Sequence, residues 1–226
     1  MTPTSKTTTT PSTATFAHDD PRQLFGRGIA VGTATIAAVR ADQMELPTPC
    51  DEYDVRRLLG HLVAVVHRAA AIGRGDDPMT MADTFTSADD AWSMAWSSAV
   101  ADAENAWRDD AALERTVVLP WATLPGGAAL LGYLNEVVVH TWDLAQATSQ
   151  HPTWDDDVVR AAHIAIAHAL PAEGRRELFE EILKKIDASA VRQPSAGAPP
   201  FAEAVAASTD ARPIDRLVAF TGRQPG

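Results

Sequence analysis

From Pro21 onward, apolar residues recur every three or four positions. Phe25, Ile29, Gly32, Ile36 and Val39 fall on one stripe, as a helix with a single buried face requires, and the spacing predicts a first helix ending near Met44. Pro47, Thr48, Pro49 and Cys50 then break the pattern. Asp54 stands where a cap would accept free backbone N–H groups, and Leu58, Leu59, Leu62, Val63, Val66 and Ala70 carry a second helix to a stop at Gly73-Arg74-Gly75. A third helix is marked by Trp92, Trp96, Val100, Ala103 and Trp107. Indoles bury large areas, so this stripe reads as core packing rather than as a ligand box. Residues 115–119 are the one strand-like run, β-branched and closed by Pro120; after a turn at Pro125-Gly126-Gly127, residues 128–147 are apolar nearly all round and predict a fourth, buried helix. Further helices are expected over 155–170 and 175–186, the latter amphipathic through Leu178, Phe179 and Ile182. A Pro/Ala/Ser-rich linker follows over 188–200, then a short terminal helix between Pro213 and Gly222. The pattern is mainly α and contains no internal repeat.

Of the 226 residues 46% are hydrophobic, enough to bury a core, and the formal net charge is −11. An acidic chain lacks the clustered positive charge that displaces counterions from nucleic acid or docks on anionic lipid, so the expected partners are small molecules. Cys50 is the only cysteine and has no internal disulfide partner, and no apolar run is long enough to span a bilayer. The expected setting is cytoplasmic, as a monomer or homodimer. Residues 1–20 are Thr/Ser/Pro-rich without the apolar stretch of a signal peptide, and read as a disordered tail.

The chemistry concentrates in the fourth helix. At about 100° per residue Glu136 and His140 share one face, and Asp143 falls on the same stripe. A helix this apolar is buried, and a buried carboxylate costs several kcal/mol unless a cation compensates it. His61 lies on the core side of the second helix with Leu58 and Val65, whereas His67 points elsewhere. Two core-facing helices thus offer His, Glu and His, a set that suits a divalent ion with open positions. Spacing alone leaves a buried Arg or protonated His as the other way to compensate Glu136.

Three segments carry a resemblance. Residues 48–62, ending in Leu58-Leu59-Gly60-His61-Leu62, residues 136–145, running from Glu136 through His140 to Ala145, and residues 215–223, ending in Phe220-Thr221-Gly222-Arg223, together resemble the mycothiol-dependent maleylpyruvate isomerase family of the DinB-like superfamily. The resemblance runs from about residue 21 to 226 and is weaker after Ala147. Tyr53 stands where the family often carries Trp. It implies an up-down-down-up four-helix bundle with additional C-terminal helices, His61, Glu136 and His140 as ligands of zinc or another divalent metal, and mycothiol as the associated thiol. The implied organisation is a tail over 1–20, a metal-binding bundle over 21–150 and a helical extension over 151–226 packed on it.

Arg223 and Asp143 are the candidate catalytic residues. The resemblance implies an arginine near the metal that binds a substrate carboxylate through its fork; a helix cap is the plainer role for Arg223. Asp143 can orient His140, bind an arginine, or form a helix-terminal ion pair. Cys50, in a Pro-flanked turn, reads as packing rather than as a nucleophile, and His151, His163 and His168 as surface or packing residues. The expected function is a metal-dependent isomerase or thiol S-transferase acting on a small electrophile. The alternatives are a thiol-independent hydrolase, lyase or cyclase, and a non-catalytic helical binding module.

Overall fold

Asp20 caps the first helix by accepting the Arg22 N–H at 2.8 Å, with Pro21 at the first helical position. The computed structural model describes residues 20–185 and 201–225. The expected tail over 1–20, but for Asp20, and the expected linker over 188–200 lie outside the described residues. Helix α1 (Pro21–Ala37) buries Phe25, Ile29, Gly32 and Ile36 as the stripe requires, but it stops before Met44. The reason is Gln43. Its side chain accepts the Arg40 N–H at 2.9 Å and donates to the Thr148 carbonyl at 3.1 Å, so the chain leaves the helix axis and is pinned to the far end of the fourth long helix.

Helix α2 (Val55–Arg74) starts where Asp54 accepts the Arg57 N–H at 2.8 Å and ends at Gly75, whose φ of +88° is left-handed. Helix α3 (Trp92–Ala106) buries Trp92, Trp96, Ala99 and Ala103, with Val100 only half-buried. Two of the indoles are also tied across the bundle: Trp96 Nε1 donates to Thr33 Oγ1 at 2.8 Å and Trp107 Nε1 to the Ala69 carbonyl at 2.9 Å. A one-turn helix α4 (Ala111–Glu114) leads to a hairpin of β1 (Thr116–Leu119) and β2 (Ala122–Pro125), with Thr116 opposite Pro125 and Leu119 opposite Ala122. The second strand is unmarked in sequence, since Ala-Thr-Leu-Pro carries little β propensity. Pro125 and Gly126 are accordingly a strand end and a helix start rather than a turn. Helix α5 (Gly126–Ala147) begins so close to the Ala112 carbonyl that a Cβ on Gly126 would lie 2.1 Å from it.

The packing fixes the topology. Gly127 of α5 sits by Pro21 of α1, and Thr141 lies by Gly32, so the first and last long helices run parallel. Gly73 near the end of α2 meets Ala106 and Trp107 at the end of α3, so these two also run parallel, while Trp96 beside Gly32 sets α3 against α1. The bundle is therefore up-down-down-up, with α5 neighbouring α1 and α2, and α3 neighbouring α2 and α1. Helix α6 (Asp156–Ala169) packs Val158, Val159, Ala162 and Ile166 on α1, α5 and the terminal helix α8 (Pro213–Phe220). Helix α7 (Arg175–Lys185) is anchored by Arg175, which is 1% exposed. Its guanidinium donates to the carbonyls of Pro171 at 2.6 Å, of Ala202, and of Phe220 at 2.7 Å, clasping the segment at Phe201 and the end of α8 together. Among the described residues no helix is long and apolar enough to cross a membrane.

Candidate metal centre

Because α2 and α5 run antiparallel, the early part of one faces the late part of the other. His61 thereby meets Glu136 and His140. Glu136 Oε2 lies 3.7 Å from His61 Nε2 and 3.4 Å from His140 Nε2, and all three donor atoms fall within 4.8 Å of one another. Four ligands around one ion with bonds of about 2.0–2.1 Å sit about 3.3 Å apart, so these separations are close enough for the three donors to share one ion. The imidazoles meet edge to face, centroids 4.7 Å apart.

The far nitrogen of each ring is spoken for. His61 Nδ1 is 2.9 Å from the Asp83 carbonyl, and His140 Nδ1 is 3.0 Å from Asp143 Oδ2. Carbonyl and carboxylate oxygens only accept, so each Nδ1 carries a hydrogen, and Nε2, the nitrogen turned toward Glu136, is the one left as the candidate ligand atom. The second nitrogen is thus oriented as it is in metal-binding histidines generally. Gly60 makes the first contact attainable: a Cβ there would stand 2.2 Å from the Phe85 carbonyl and lift the 81–85 segment away.

Asp143 joins the ring to the C-terminus. It is 0% side-chain exposed, and Arg223 grips it with Nε to Oδ1 at 3.2 Å and Nη2 to Oδ2 at 2.8 Å, while Nη1 donates to the Thr221 carbonyl at 2.9 Å. Asp143 therefore orients His140 and binds an arginine at once, and the fork of Arg223 is closed on it. Phe201 completes this side, stacked at 6.5 Å on His140 and lying 5.3 Å beneath the Arg223 guanidinium.

Burial works against the Glu136 charge, but the two imidazoles beside it prevail and hold its carboxyl well below the usual range. Burial would likewise push the His140 imidazole down; Asp143 and Glu136 outweigh it and raise it above the ordinary value. Glu136 keeps 29% of its side chain exposed, so the centre is open on that side.

Cys50, together with His140 and Asp143, forms a second close group, with donor atoms also within 4.8 Å. Both oxygens of Asp143 are already engaged, Oδ1 by Arg223 and Oδ2 by Arg223 and His140, so an ion in this group would compete with that pair. Burial pushes the Cys50 thiol up to about 11 despite Arg223 nearby, so it is protonated at neutral pH. Alkylation of the folded protein by iodoacetamide at pH 7.5 is accordingly expected to run at least about tenfold slower than that of a free thiol. A rate equal to that of free cysteine, read by mass spectrometry, would reopen Cys50 as a nucleophile.

Among the described residues the remaining histidines stay apart from the site. His67 pairs with Asp102 at 3.5 Å, His163 lies against the Phe220 ring at 5.2 Å, and His151 and His168 are exposed. Tyr53, Phe201 and the Asp83 carbonyl were not legible as parts of the site. The Tyr53 ring stands 5.0 Å from His61 and 6.5 Å from His140, and its hydroxyl is 3.4 Å from His61 Nδ1.

A family model described as the mycothiol maleylpyruvate isomerase N-terminal domain matches residues 25–145, a stretch that includes His61, Glu136, His140 and Asp143 but ends before Arg223. Two uncharacterised proteins of Mycobacterium tuberculosis, from strains CDC 1551 / Oshkosh and ATCC 25618 / H37Rv, are each 27% identical over 205 residues, covering 90% of this chain and 98% of theirs. No solved structure matches.

Proposed function

Since the chain belongs to the mycothiol maleylpyruvate isomerase N-terminal domain family, we propose that it is a divalent-metal enzyme that uses a low-molecular-weight thiol of the mycothiol type to isomerise or S-conjugate a small electrophile. The observation that carries this reading is the convergence of His61 Nε2, Glu136 Oε2 and His140 Nε2 with both Nδ1 atoms already hydrogen-bonded. Two imidazoles and one carboxylate form the donor set of a catalytic zinc site. When bound, the ion supplies an acidic open position and the thiol a sulfur nucleophile that can add to an electron-poor carbon and leave again.

The chain's own residues have distinct parts in this scheme. Glu136 offsets one of the two positive charges and faces the solvent opening. Asp83 and Asp143 hold the rings in the tautomer that a metal requires, and Arg223 holds Asp143. Tyr53 and Phe201 shield the imidazoles from bulk water on two sides. The extension proposed over 151–226 is then part of the site, since it supplies Phe201 and Arg223 to the bundle proposed over 21–150.

A thiol that binds the loaded native state alone stabilises it by mass action. At about a hundred times its dissociation constant, mycothiol is expected to add about 2.7 kcal/mol, which for a chain of this size is a rise of roughly 5–10 °C in Tm. The metal-stripped protein should show no shift. No shift in the loaded protein, with turnover of an electrophile or ester in the absence of any thiol, would establish the hydrolase, lyase or cyclase reading instead.

A further inference from the structure

The two ligand imidazoles are backed by different acceptors, a carboxylate for His140 and a main-chain carbonyl for His61. A carbonyl is only as well placed as the segment that carries it. Residues 81–87 belong to no helix or strand, so pins to the rest of the fold decide where the Asp83 carbonyl stands. One pin is the Phe85 N–H, which donates to the Gly60 carbonyl at 2.8 Å. The other is Arg68. A single nitrogen, Nη2, donates to the Met81 carbonyl at 3.2 Å and to Asp83 Oδ1.

Arg68 stands seven residues after His61, two turns along nearly the same face of α2. As the segment runs from Met81 through Asp83 to Phe85, its contacts on α2 step back from Arg68 to His61 to Gly60, so it lies antiparallel along the helix. Asp83 is thereby held twice, its side chain by Arg68 and its carbonyl by His61. This is not the placement of an ordinary surface ion pair. The Arg68 side chain is only 15% exposed, and its Nε is buried with no acceptor among the described residues. One N–H gives up its solvation so that Nη2 can reach the segment.

The same construction serves the other ring. Arg223 grips Asp143 and Asp143 faces His140 Nδ1, as Arg68 grips Asp83 and Asp83 faces His61 Nδ1. We infer that Arg68 is a positioning residue for the metal centre: it holds Met81 and Asp83 so that the Asp83 carbonyl fixes the His61 ring with Nε2 turned toward Glu136. This rests on the metal reading above and is independent of the thiol. Because both bonds come from one nitrogen rather than from the two arms of the fork, a lysine ammonium can take over much of the task. Removing the guanidinium acts in opposite senses through charge and through position. Loss of a positive charge near the centre favours a divalent ion, whereas loss of the pin frees the ring and disfavours it, so weaker zinc binding reports position.

The test uses the full chain, with zinc affinity measured by competition against a chromophoric chelator and the His61 and His140 Nδ1–H groups of the zinc-loaded protein followed by NMR. In Arg68→Met, which keeps an apolar stem, zinc should bind about tenfold more weakly. The His61 Nδ1–H should exchange with water faster, while that of His140 should not. Asp83→Ala keeps the backbone carbonyl yet should show the same two changes, and Arg68→Met/Asp83→Ala should fall within about twofold of either single variant. Arg68→Lys should stay within about threefold of wild type. Since Asp83 is half exposed, the Tm of the metal-stripped variants should lie within about 3 °C of wild type. Wild-type zinc affinity in Arg68→Met would show that the Phe85 contact with Gly60 suffices. That result, additive losses in the double variant, or equal loosening of both rings overturns the inference and leaves the metal reading intact. A wild-type protein that takes up no metal overturns both.

Discussion

His61→Ala and His140→Ala are each expected to reduce bound metal from one ion per chain to near none after gel filtration, and to remove thiol-dependent activity with it. Losing an outer partner of a metal ligand typically costs about 10–100-fold in affinity, and removing a ligand itself costs more, since two donors remain to hold an ion that three were placed to share. The bundle should survive. Leu58, Leu62, Val137, Val138 and Leu144 are fully buried around these positions and carry the packing whether or not the imidazoles are there. Far-UV circular dichroism should therefore remain helical and unfolding cooperative. Glu136→Gln isolates the charge, keeping the shape of the side chain while removing the anion that faces both rings. Full metal occupancy in either His→Ala variant would refute the triad.

Asp143→Ala should have the largest effect on stability. It strands a guanidinium that is 7% exposed, and breaking a buried pair by removing one partner typically costs about 3–5 kcal/mol. It also frees the His140 ring, so zinc affinity should fall by about 10–100-fold in the same protein. The double variant Asp143→Ala/Arg223→Ala separates the two effects. With the stranded charge gone, stability should recover relative to the single variant, whereas metal affinity should not, because the ring is still unheld. Denaturant titration and zinc competition measure the two independently. An Asp143→Ala protein as stable as wild type would show that Arg223 finds another partner, and one with unchanged zinc affinity would show that His140 is fixed by packing alone.

How much of this the sequence disclosed varies with the kind of interaction. Helix α2 was legible almost to the residue, because Asp54 and Gly75 are local signals acting on their own turn. The end of α1 was not, since what stops it is Gln43 reaching Thr148, more than a hundred residues away. Strand β2 has no propensity of its own and exists through pairing with β1. In the site, the i,i+4 spacing placed Glu136 and His140 on one face, yet spacing left open whether a metal or a buried cation answers Glu136. The structure shows why both belonged in the argument: the imidazoles converge on Glu136, and the buried arginine serves Asp143. The Asp83 contact had no signature, because a backbone carbonyl is common to every residue. Phe201 follows a Pro/Ala/Ser-rich stretch that gave no reason to bring it to His140.

The parallel pairing of α1 with α5 bears on when the donors of the proposed centre can first come together. In a simple up-and-down bundle each helix docks on the one made just before it, and contacts stay local. Here the first long helix waits for the last, and α2 meets its ligand-bearing partner only across the intervening α3 and hairpin. Such long-range closure slows folding and places it late. A chain emerging from the ribosome carries His61 well before Glu136 and His140 exist, so no partial product holds the centre. On the proposed metal reading, uptake belongs to the completed polypeptide, and the ion would act as a seal on a finished bundle rather than as a nucleus for building one.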